Sequence, residues 1–131
     1  MEKLQNLIVV IGRFFLSAIF ITSGFDKIAA YSGTQGYMES MGVPGMLLPL
    51  VITFEIFGGL AILLGFKVRL FALLMVGFNL LSAIIFHADF SNQIQMIMFM
   101  KNVSIAGGFL MLVAYGAGTY SIDAWLNKKL S

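Results

Sequence analysis

Four apolar stretches take up most of this 131-residue chain, each close to the ~20 residues that carry an α-helix across the hydrocarbon core of a bilayer. They run from about residue 4 to 25, 46 to 66, 68 to 86 and 98 to 118. Spanning strands would be about half as long and would alternate apolar with polar. The chain is therefore expected to be an all-α membrane protein, a four-transmembrane-helix bundle forming one domain over residues 1–131. Composition agrees: 60% of residues are hydrophobic and 11% charged, at a mean hydropathy of +0.96. A soluble domain of this size needs far more polar surface to cover itself. The first span has some likeness to a signal peptide, but its apolar run is too long and Arg13 interrupts it, so it is expected to be retained.

The residue inventory excludes several chemistries. There is no cysteine, which removes disulfides, thiol nucleophiles and iron–sulfur ligation. A single histidine, His87, cannot supply two imidazoles to a haem or three to a zinc within one chain. Met96, Met98 and Met100 alternate before the fourth span, but with apolar neighbours they read as packing residues and no metal site is expected. A net charge of +2 with no basic run gives no footprint for nucleic acid. No recognisable motif encodes a cofactor.

Basic residues in the flanks set the direction of insertion. Lys3, Lys67, Arg69, Lys128 and Lys129 fall on one side, Lys27 and Lys101 on the other, which predicts both termini in the cytoplasm and the 26–45 and 88–97 loops on the far side. Tyr115, Tyr120 and Trp125 suit the aromatic belt of the cytoplasmic interface. Within the first outer loop, Ser32 and Gln35 have the spacing of a capping box, and Tyr37, Met38 and Met41 would share one face of a short interfacial helix that Gly42 and Pro44 end. Such a helix is either a lid over the bundle or a floating linker. Ala61 with Gly65, and Ser104 with Gly108, have the small-xxx-small spacing of close helix approach. Residues 55–59 and 104–108 also resemble one another, which hints at a duplicated hairpin.

Ionisable groups inside a span are costly, ~2.5–3.5 kcal/mol on insertion scales, and each is a functional hypothesis. Counting from the assumed cytoplasmic ends at a 1.5 Å rise, Arg13 lies ~13 Å deep and Glu55 and Asn79 both ~16 Å. Antiparallel neighbours would then bring Arg13 and Glu55 together near the midplane. The expected pair reads in two ways: a structural bond that fixes helix register, or a site in which Glu55 exchanges a proton while Arg13 holds a carbonyl or anionic oxygen. A second candidate cluster sits at the outer helix ends: Asp26, Lys27, His87, Lys101 and Asn102. Charges at a water interface are ordinary, but His87, an imidazole able to carry protons, stands where protons would enter.

The order of these motifs resembles the DoxX family of small four-helix membrane proteins. The likeness rests on Gly12-Arg13, Ser23-Gly24-Phe25-Asp26-Lys27, the 33–44 loop, Pro49-Leu50-Val51, Glu55, Gly58-Gly59, Phe86-His87, Phe99-Met100-Lys101-Asn102 and Ala106-Gly107-Gly108, and it covers nearly the whole chain. It is most similar to the enterobacterial inner-membrane form labelled as quinol oxidase subunits. The resemblance implies a bacterial inner-membrane bundle and a link to quinone-coupled oxidoreductases, with quinone as the expected small-molecule partner. It transfers no catalytic residue. Electrons would have to come from a redox partner protein or an unseen cofactor, and a homo-oligomer is one possible assembly. The other reading is a non-catalytic membrane anchor, or a small carrier of a lipid-like molecule, braced by the Arg13–Glu55 pair.

Overall fold

The structure, a computed structural model, describes residues 2–130, with the backbone only for Leu130. Six α-helices and one short 3-10 turn account for its ordered elements, and no strand occurs among the described residues. They are α1 (Glu2–Ala29), α2 (Tyr31–Ser40), the turn Gly45–Leu47, α3 (Leu48–Leu64), α4 (Val68–Phe86), α5 (Gln93–Tyr115) and α6 (Ile122–Leu130). Four of them, α1, α3 with its preceding turn, α4 and α5, are long and apolar enough to cross a membrane. All four present large apolar side chains outward, among them Phe15, Phe57, Leu81 and Met111. That is the pattern expected where lipid rather than water is the solvent.

Local chemistry explains the boundaries. Pro49 in the first turn of α3 removes a donor that would have no helical partner. Gly65 ends α3 at φ 77°, and Phe66 N–H returns to the Ala61 carbonyl at 2.8 Å, closing a Schellman motif that needs a left-handed residue. The Asn92 side chain accepts from Ile94 N–H and Gln95 N–H, so α5 starts five residues before the apolar run does. Gly116, at φ 77°, ends it.

The bundle is organised as two antiparallel pairs, α1 along α3 and α4 along α5. Phe20, Ile62, Met75 and Phe109 are buried where the pairs meet, with Phe20 5.6 Å from Phe109 between ring centroids. Small residues set the α1–α3 distance: a Cβ on Gly24 would overlap Ile56, and one on Gly59 would stand 2.8 Å from Ile21. Gly108 meets Leu16 of α1, whereas Gly107 has open space beside it and Ser104 is exposed. Only part of the predicted small-residue pattern is therefore used in packing. Replacing Gly59 by valine should destabilise the bundle by about 1–3 kcal/mol through overpacking, read as a fall in the melting temperature in detergent, while valine at Gly107 should leave it unchanged.

The helix predicted in the first long loop forms as α2, but not through the Ser32–Gln35 capping box. Ala30 is the N-cap and contributes no side-chain bond. The chain passes from α1 to α2 through that single residue: Ala30 N–H donates to the Asp26 carbonyl of α1 at 3.0 Å, and the Ala30 carbonyl accepts from Thr34 N–H and Thr34 Oγ1, at 2.9 and 2.8 Å. Gln35 is used elsewhere, its Nε2 donating to the Gly45 carbonyl at 3.2 Å. Met38 is buried with Leu48 and Ile52, while Tyr37 stacks on Phe86 at 5.5 Å. Thus α2 packs onto the ends of α3 and α4.

At the other end of the bundle the carboxyl segment folds back. Asp123 accepts from Lys67 N–H at 2.6 Å and Val68 N–H at 2.9 Å, and Asp123 N–H donates to the Gly65 carbonyl at 2.9 Å. These bonds cap α4, whose own N-cap residue, Lys67 at φ 45°, supplies no side-chain cap.

Candidate functional site

The α1–α3 register decides which polar groups meet. Gly24 lies against Ile56 and the Glu55 Cβ, Gly59 against Ser17 and Ile21, and Gly65 against Arg13. Glu55 is therefore level with the last two turns of α1, and its carboxylate Oε1 is paired with Lys27 Nζ at 2.8 Å. Glu55 is buried, while the Lys27 side chain retains 30% exposure.

The expected Arg13–Glu55 pair does not form. Arg13 is 2% exposed at the opposite end, where its Nη2 donates to the Tyr120 carbonyl at 2.5 Å and its guanidinium faces the Asp123 carboxylate. The reason is the length of α1. Its 28 residues span ~42 Å, more than a bilayer crossing requires, and about three turns run past the end of α3 beside residues 118–121. Counting depth from the first apolar residue placed Arg13 too far inward. No hydrogen-bond partner is found for Nε and Nη1 of Arg13 among the described residues.

What the structure does bring together is most of the two candidate clusters, into one cavity of about 520 Å³. Glu55, Asn79, Lys27, His87, Lys101 and Asn102 all line it. Arg13 does not, and neither does Asp26, which follows the helix periodicity away from its neighbour Lys27 and is exposed. Asn79 Nδ2 donates to the Met75 carbonyl at 2.8 Å, leaving its amide oxygen and second N–H for other partners. His87 Nδ1 is 2.8 Å from Gln95 Oε1; with Nδ1 as donor, the neutral ring offers an acceptor at Nε2.

Apolar walls complete the space: Phe20, Phe78 and Ile105 on the side of the bundle core, Met38, Val51 and Phe86 on the side of α2. α2 closes one end through Thr34, Tyr37 and Met38, so it covers the cavity rather than floating as a linker. Tyr37 was placed from the sequence only on a face of the loop helix, and Thr34, Ser23 and Ser82 were not read as site residues. Only Ser23 and Ser82 carry a recoverable signal, as hydroxyls one turn from Lys27 and from Asn79 respectively. Gln95, which orients His87, carried none.

The volume falls within the ~300–1,000 Å³ of small-molecule sites, and the walls have their usual character, mostly apolar with a few convergent polar groups. A carboxylate paired with an ammonium inside a cavity can hold a polar ligand from both sides, the ammonium donating and the carboxylate accepting.

Comparison with known proteins gives the same architecture a lineage. The chain is 54% identical over 129 residues to inner membrane protein YqjF of Escherichia coli strain K12, covering 98% of this chain and 99% of that one. It is 38% identical over 126 residues to inner membrane protein YphA of the same strain, covering 91% and 90%. No solved structure matches the chain. A family model, DoxX, matches residues 8–88, which contain α1 to α4 nearly whole and with them Lys27, Glu55, Asn79 and His87. The chain belongs to the DoxX family.

Proposed function

We propose that the cavity binds the ring of a quinone or quinol taken from the bilayer, and that the protein is the membrane subunit of a quinone-linked oxidoreductase. The observation that carries this reading is the Glu55–Lys27 ion pair standing in the wall of a mostly apolar cavity. A quinone presents two carbonyl oxygens on a flat apolar ring. It needs donors for the oxygens, an apolar slot for the ring and a route for protons. Lys27 and the amides of Asn79 and Asn102 supply donors, Phe20, Phe78 and Phe86 supply ring-sized apolar surface, and Glu55 and His87 are groups able to carry protons. Reducing a quinone to a quinol takes two electrons and two protons. The protons pass through these side chains, and the electrons come from a redox partner protein or a bound cofactor, since the chain has no cysteine and one histidine with which to ligate an iron centre of its own.

The setting in this reading is a bacterial inner membrane, as for the two Escherichia coli relatives, with both termini in the cytoplasm by the distribution of Lys and Arg. α2 then lies at the outer interface as a lid. The ion pair also bridges α1 and α3, which favours a second reading, a non-catalytic anchor or lipid carrier in which the pair is only a brace.

Purification in mild detergent from native membranes, with mass spectrometry of the lipid extract and of co-purifying proteins, separates the two. Stoichiometric quinone, lost in Glu55→Gln while helicity is kept, is the expected result. Bulk phospholipid alone, with no partner protein, would sink the redox reading.

A further inference from the structure

The end of the bundle away from the cavity carries a second recess, a groove of about 500 Å³ between the start of α4, the end of α5 and α6. Lys67 and Arg69 line it, together with Asp123 and Asn127. We propose that this groove binds the headgroup of an anionic phospholipid, with the phosphodiester between Lys67 and Arg69.

Four observations converge on it. Both cations are exposed and stand two residues apart at the start of a membrane-spanning helix, where headgroups lie. Arg69 rests over the backbone of Gly116, close enough that a Cβ there would stand 3.0 Å from its Nε, so the guanidinium is held on the groove wall. The one acid in the groove, Asp123, has its two carboxylate oxygens occupied by Lys67 N–H and Val68 N–H, which leaves the cations to an outside anion. The neighbouring surface is amphipathic: Leu70 and Tyr115 beside the groove are 52% and 81% exposed, and Trp125 on α6 lies under Lys129 at 4.8 Å from its ring centroid. This apolar rim at the ends of two spans fits a phosphate that carries acyl chains, rather than free phosphate.

Native mass spectrometry of the full-length protein in detergent, titrated with phosphatidylglycerol or phosphatidylcholine, tests the assignment. Two basic groups near the headgroup should favour phosphatidylglycerol by about 10- to 30-fold. K67Q/R69Q should abolish that preference, whereas Lys3→Gln, which removes a basic residue outside the groove, should keep it. N127W, an exposed position where a large neutral side chain fills the groove without altering charge, should also abolish it; it keeps the test decisive if the double variant loses helicity. A preference unchanged in N127W would overturn the site. Competition by inorganic phosphate as effective as by phosphatidylglycerol would overturn the lipid assignment.

Discussion

Lys27→Met should cost the protein about 3–5 kcal/mol, the penalty for leaving one member of a buried ion pair behind. Glu55 is the buried member, paired to Lys27 at 2.8 Å and standing where α1, α3 and α2 converge. Without the ammonium, its buried carboxylate loses the cation it is paired with. The fall should appear as a large drop in melting temperature in detergent and as reduced yield from membranes. The double variant Lys27→Met with Glu55→Gln removes both charges and should recover most of the lost stability, because a neutral amide is far cheaper to bury than a lone carboxylate. Quinone retention decides what the pair is for. A double variant that is stable and still binds quinone would reduce the pair to a brace; one that is stable and empty would assign it to the ligand. An unchanged melting temperature in Lys27→Met alone would contradict the ion pair itself.

Glu55 also shows how far such a site can be read from a sequence. Its cost in lipid marks it, as it marks Asn79 and Arg13, and helix length and hydropathy place the four spans within a few residues. Pairing is a different matter. Which end of a 28-residue helix carries the surplus length is fixed by tertiary contacts, here Gly24 on Ile56 and Gly59 on Ile21, and no count along α1 reveals it. An error of about ten residues in register, ~15 Å, exchanges Lys27 for Arg13 as the partner of Glu55. The same contacts merge the midplane and outer clusters. Lys27 reaches inward to Glu55, and His87 and Asn102 look into the same space from α4 and α5. The carboxyl helix was legible in principle. Ser121 accepts from Ala124 N–H, Asp123 lies in the first turn, and Lys128 and Lys129 lie in the last, which is the ordinary charge order of a helix. Its role in capping α4 was not, because Asp123 and Lys67 stand 56 positions apart in the sequence.

Asp123→Ala tests that role. The substitution removes the acceptor of two backbone N–H groups and also the carboxylate that faces Arg13. Hydrogen bonds to a charged acceptor are each worth ~1.5–3 kcal/mol, and the buried guanidinium, with Nε and Nη1 already lacking hydrogen-bond partners among the described residues, would lose its nearest counter-charge. A loss of about 3 kcal/mol is expected. Most of it should be local to the end of the bundle: hydrogen exchange at Lys67, Val68 and the residues of α6 should accelerate, and the carboxyl segment should become open to protease. Asp123→Asn keeps one acceptor and should fall between. The cavity proposed for quinone lies some ~20 Å along α1 from Arg13, so quinone retention should survive wherever the fold does. Amide protection at Val68 unchanged in Asp123→Ala would show that α4 starts without the cap. Loss of quinone in a variant that keeps its helicity would instead couple the two ends, through α1 as the one helix that carries both Arg13 and Lys27.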